Sequence, residues 1–214
     1  SFFDEEDEKP GVDLIALASY RRAIANFVNI VTSKNIPVTF TSQGDSYTDG
    51  KKVTISAKLD DKLFDSAVGL ALHEGSHIAY SDFNAFATAR TASHIRGFNV
   101  TDERLNFYRG MINYIEDRRV DSLVFKSSPG YKGYYHELYS KYFNHNNITK
   151  GLKSTMYRDV DFESYMFRII NMFNKNADPT ALKILPTIYK AINLKNIDRL
   201  KNTKDSLELA ITIY

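Results

Sequence analysis

From Asp13 onward, apolar side chains fall at Leu17, Tyr20, Ile24, Phe27, Val28 and Val31. This is the one-face spacing of an α-helix, with Asp13 as its N-cap. The period then shortens. Pro37 to Thr41 alternates and predicts a strand. Tyr47 to Ile55 predicts a hairpin turning on Asp49-Gly50. Asp65 stands where it would cap a helix from about Ser66 to Tyr80. Asp82 to Thr91 reads as helix or loop, and a less regular stretch follows to Val100. Thr101-Asp102-Glu103-Arg104 opens a helix that runs to about Phe125, and Ser127-Ser128-Pro129-Gly130 ends it. The aromatic run from Tyr131 to Phe143 opens another helix. Beyond Asp161, helical segments are punctuated by Asn, Pro179 and Pro186. There is no internal repeat and no low-complexity tract.

This order predicts an α+β fold with a small N-terminal antiparallel or mixed sheet and a mostly helical C-terminal lobe. Residues 1–10 read as a mobile acidic leader, and residues 11–214 as one domain whose N-terminal lobe ends near residue 81. The opening lacks Met, and the chain stops inside an apolar-periodic stretch. Both ends read either as cut from a longer polypeptide or as those of a complete protein that has been processed or trimmed.

Composition narrows the chemistry. The 214 residues are 43% hydrophobic and 25% charged, ordinary for a globular chain with one core or two lobes. A net charge of +2 is too mild to indicate a nucleic-acid partner. No basic run marks a membrane surface, and no apolar run is long enough to span a bilayer. The acidic start is not a signal peptide. The expected location is the cytoplasm or a virion. With no cysteine, disulfides, thiolate metal sites and cysteine catalysis are excluded. Metal ligands must then be His and carboxylate, the donor set of a catalytic zinc rather than a structural one.

His73-Glu74-Gly75-Ser76-His77 is an H-E-x-x-H motif with apolar flanks. On a helix, positions i and i+4 share a face, so the two imidazoles can hold one zinc ion. Glu74 can then act as general base on a metal-activated water. The bland alternative is a half-buried helix with two hydrogen-bonded His.

The third ligand must be sought elsewhere. Ile115-Glu116-Asp117-Arg118-Arg119-Val120-Asp121 is a charged cluster in an otherwise amphipathic helix. In gluzincin metallopeptidases the third ligand is a Glu on a downstream helix, and a nearby acidic residue orients a ligating His. Glu116 fits the first role, and Asp117 or Asp121 the second. The same charges can instead pair along a solvated face, Glu116 with Arg119 and Arg118 with Asp121. Asp82 is the rival third ligand. The metzincin pattern fails at Tyr80 and Phe83.

The run from Ala71 to Asp82, with Tyr114 to Asp121 and Ser128 to Tyr131, resembles a family of metallopeptidase-like proteins. Several are phage-encoded, and they often carry a von Willebrand factor A domain after the peptidase-like part. The resemblance covers about Asp13 to Phe143. It implies a zincin-like fold, His73, His77 and Glu116 as zinc ligands, and Glu74 as base. It also implies a peptide or protein substrate, with a von Willebrand A domain or phage structural proteins as partners. A zinc peptidase further needs an oxyanion donor. His136 and Tyr131, with Tyr134 and Tyr135, are the candidates, and aromatic packing is the plainer role for them. His94 and His145 read as structural or exposed. Val53 to Ser56 reads as an edge strand able to pair with an extended substrate. The expected function is zinc-dependent peptide hydrolysis. The rival is a catalytically silent, zincin-like assembly module of a phage particle.

Overall fold

The computed structural model describes residues 14–41, 43–56, 63–89 and 100–214. The acidic leader, the Asp13 cap and His94 lie outside the described residues. Helix α1 (Leu14–Thr32) buries Ile24, Val28 and Val31 along one stripe. Strands β1 (Val38–Thr41), β2 (Tyr47–Thr48) and β3 (Val53–Ser56) form a mixed sheet in the order β1-β3-β2. β1 runs parallel to β3 with Val38 opposite Val53, and β2 runs antiparallel to it with Tyr47 opposite Thr54. The Asp-Gly turn forms as the sequence predicts. Asp49 Oδ1 accepts from the Lys51 and Lys52 amides, both at 2.9 Å, and Gly50 takes φ +84°. The expected edge strand is corrected, because β3 is paired on both sides and β2 is the edge beside the cleft described below.

The motif lies on α2 (Phe64–Tyr80). This helix starts earlier than the sequence suggests, and Leu63 occupies the N-cap without a side-chain bond. Asp65 is therefore in the first turn, where its charge still complements the helix dipole. Next come α3 (Phe83–Ala89) and α4 (Asp102–Ser127), the latter capped by Thr101 Oγ1 accepting from the Arg104 amide. A 3-10 turn at Pro129–Tyr131 leads into α5 (Lys132–Tyr142). Four further helices follow: α6 (Asn146–Lys153), α7 (Phe162–Ile170), α8 (Leu185–Ile192) and α9 (Thr203–Ile213). His145 caps α6, its Nδ1 accepting from the Asn147 amide. Among the described residues no helix is long and apolar enough to cross a membrane.

Among the described residues two apolar cores result. One joins α1, the sheet, α2 and α5 through Ile24, Val28, Ile55, Leu72 and Tyr135. The other joins α4 to α7, α8 and α9 through Met111, Ile112, Ile115, Ile169, Leu185 and Ala210. Helix α4 spans both: its N-terminal half belongs to the second core and Val124 to the first. Its 26 residues cover about 39 Å. Between its two apolar ends lies the charged segment 116–121, where α4 passes α2.

Candidate metal centre

Helix α2 packs against α1, α4, α5 and β3, and its small residues make that possible. A Cβ on Gly69 would stand 2.3 Å from the Tyr134 carbonyl oxygen, and one on Gly75 2.7 Å from Val28 Cγ1. Ser76 is fully buried and donates to the Leu72 carbonyl at 2.6 Å. The two middle residues of the motif thus serve packing. The i, i+4 spacing leaves His73 and His77 on the face toward α4.

There they meet Asp117. Its Oδ1 lies 3.2 Å from His77 Nε2 and 3.7 Å from His73 Nε2. One donor atom from each of the three residues falls within 4.8 Å of the others. The outward nitrogens are engaged separately. His73 Nδ1 lies 2.8 Å from Asp121 Oδ1, and His77 Nδ1 lies 2.9 Å from Ser81 Oγ. Asp121 can only accept when ionised, so His73 donates through Nδ1–H. Ser81 Oγ spends its proton on Glu116 Oε1 at 2.7 Å, so His77 also donates through Nδ1–H. Both Nε2 atoms then face Asp117, where a protonated Nε2–H donates to its carboxylate and a deprotonated Nε2 could hold a cation instead. Two imidazole nitrogens, each fixed through its Nδ1, and one carboxylate oxygen could together hold a metal ion.

Comparisons with protein families, curated proteins and solved structures find no match to this chain.

Glu116, expected as third ligand, does not join this group. It is fully buried and grips Arg119 with both oxygens, Oε1 to Nη2 at 2.7 Å and Oε2 to Nε at 2.8 Å. Thr203 Oγ1 on α9 donates to the same Oε1 at 2.9 Å. Arg119 also donates to the Tyr80 carbonyl at 2.7 Å, tying α4 to the end of α2. Asp117, expected in the supporting role, is the carboxylate beside the imidazoles. Asp121 takes the supporting role behind His73, as anticipated for it. Asp82, the rival ligand, caps α3 by accepting from the Asn84 and Ala85 amides, both at 3.0 Å.

Each supporting carboxylate has its own arginine. Arg118 Nη2 pairs with Asp121 Oδ2 at 3.0 Å, and Tyr139 donates its hydroxyl to the same oxygen. The Arg118 guanidinium lies among the rings of Tyr114, Tyr139, Phe143 and Phe173. Both i, i+3 pairs that a solvated face would show are therefore present, but inside the protein. Burial opposes charge on Asp121, and His73 and Arg118 outweigh it, so its pKa lies below the usual range. Burial likewise opposes charge on Glu116, and the Arg119 hydrogen bonds and charge overcome it. For His73, burial disfavours the cation, but the charge and hydrogen bond of Asp121 prevail and raise its pKa from 6.5 to about 9. Asp117 is driven down to about 2 because the His77 hydrogen bond and the nearby His charges outweigh desolvation.

A cleft of about 720 Å³ opens on the three donors. Glu74 lines it beside them, and burial raises its carboxyl pKa above the ordinary value. The predicted oxyanion donors are elsewhere. Tyr131 packs on Phe27 and Tyr134 in the N-terminal core, and His136 is exposed on α5. Neither lines the cleft. The sequence reading missed Ser81, Tyr139 and Thr203, and it set the Arg118–Asp121 pair on a solvated face. Only Ser81 carried a signal, a hydroxyl four residues after His77 on the same helical face.

Proposed function

We propose that the chain is a zinc-dependent metallopeptidase with His73, His77 and Asp117 as ligands and Glu74 as general base. The observation that carries this reading is the convergence of two Nε2 atoms and one carboxylate oxygen within 4.8 Å, in an open cleft that Glu74 also lines. The helix-borne motif after a small mixed sheet, with the carboxylate on a downstream helix, resembles the zincin arrangement.

Held there, zinc would supply Lewis acidity toward a scissile carbonyl and a water. The protein supplies the rest. Asp121 and Ser81 keep both imidazoles in the tautomer that leaves Nε2 free. Glu74 takes the water proton and delivers it to the leaving amine. Its raised pKa brings it nearer the working range of a base that must also return the proton. The His side chains are 12% and 13% exposed and Asp117 31%, so the donors open onto the cleft. A purely structural ion would be closed off by protein ligands, so this openness favours turnover over the silent assembly module.

Removal of metal by a chelator should abolish cleavage of an unfolded protein such as casein, and stoichiometric zinc should restore it. Cleavage that persists in metal-free protein would sink the proposal.

A further inference from the structure

The cleft has two chemically different walls. The α2 and α4 side carries His73, Glu74, His77 and Asp117. Every other described residue lining it is uncharged. The apolar part is concentrated on α3, in Phe83, Phe86 and Ala87, with Tyr47 on the facing edge strand β2. Phe86 is anchored in the C-terminal core, whereas Phe83 is 36% and Tyr47 50% exposed. Phe83 is also held in place. A Cβ on Gly50 would lie 3.3 Å from its ring, so the glycine that makes the β2–β3 turn also admits the ring. Helix α3 follows His77 by a few residues, so this surface adjoins the reacting centre.

Resting on the peptidase reading, we propose that the α3 wall is a side-chain subsite that takes an apolar or aromatic residue of the peptide beside the bond to be cut. Phe83 and Phe86 form its surface, and Tyr47 faces them. Among the described residues lining this wall none is charged, so a Lys, Asp or Glu side chain would lose hydration against them without an opposite charge, while an apolar one would bury area against rings.

Two measurements test this separately from catalysis. The zinc-loaded chain is given a random peptide pool, and its cut sites are read by mass spectrometry. Cuts should fall beside Phe, Tyr, Leu or Met. The zinc-loaded Glu74→Gln chain is then titrated with fluorescent heptapeptides that differ only in a central Leu, Asp or Lys. The Leu peptide should bind about tenfold tighter or better, consistent with the cost of burying an unpaired charge. Phe83→Asp, at an exposed position, should erase that preference, and Phe83→Leu should keep it. Equal binding of all three peptides, no binding of any, or a preference unchanged by Phe83→Asp overturns the subsite. Absence of hydrolysis with the binding preference intact overturns the peptidase reading and leaves the subsite standing. Cleavage without side-chain preference does the reverse.

Discussion

The Ser81 hydroxyl donates to Glu116 Oε1 at 2.7 Å while lying 2.9 Å from His77 Nδ1. Glu116 therefore reaches His77 through a serine, and its neighbour Asp117 faces the imidazoles. This separates the effects of the two carboxylates. Asp117→Asn should weaken zinc by about 100-fold or more while leaving the metal-free fold intact. Glu116→Gln should weaken zinc only about tenfold, as a lost supporting carboxylate does. It should also destabilise the fold by about 3–5 kcal/mol, because it strands Arg119 in the interior. Zinc titration with a competing chelator, alongside thermal melts, checks both. The opposite ranking of zinc affinities would restore Glu116 as the ligand.

Zinc affinity should depend on pH through His73. In metal-free protein its pKa is about 9 against 6.5 in an unfolded chain, so it is protonated near neutrality and zinc must displace that proton. Affinity should rise between pH 6.5 and 9, with proton release measurable by calorimetry in buffers of different ionisation enthalpy. The stability of metal-free protein should move the other way. A raised His pKa stabilises fully below 6.5, and that contribution is lost as pH climbs through about 9. Flat affinity across this window would remove the Asp121–His73 coupling from the account.

The small middle of the motif should matter to folding before chemistry. Gly75→Ala places a methyl 2.7 Å from Val28 Cγ1, and overpacking of this kind costs about 1–3 kcal/mol. The melting temperature should fall, and Val28→Ala in the same chain should recover part of the loss. A Gly75→Ala chain as stable as the parent would mean that α1 and α2 separate more easily than their packing suggests.

The helices were legible because their apolar stripes are long, and α1 and α4 begin and end close to where their periodicity places them. The His73–His77 pair was legible because a fixed helical spacing puts both on one face. The carboxylate that faces the two imidazoles lies one residue beyond the one the sequence favoured, for a physical reason. Glu116 and Asp117 are adjacent on one helix and point about 100° apart. Which of them faces α2 is decided by how α4 packs between two cores, and periodicity does not carry that. The amphipathic pattern fails around 116–121 because charges are buried on several sides of the helix. The support from Tyr139 and Thr203 arrives from distant segments with no local signal. The sheet order was hidden for the same reason: β1 pairs with β3 across the intervening β2.

Glu74 carries the central claim. It lines the cleft, neighbours His73 and is not itself among the three grouped donors. The most direct test compares peptide hydrolysis by the zinc-loaded parent and the zinc-loaded Glu74→Gln chain, with zinc content measured on the same samples. The account predicts one zinc per chain in both, and a loss of hydrolysis of about 100-fold or more in the variant, within the range a positioned base contributes. A parent that cleaves nothing, or a variant that cleaves as well as the parent, would contradict it.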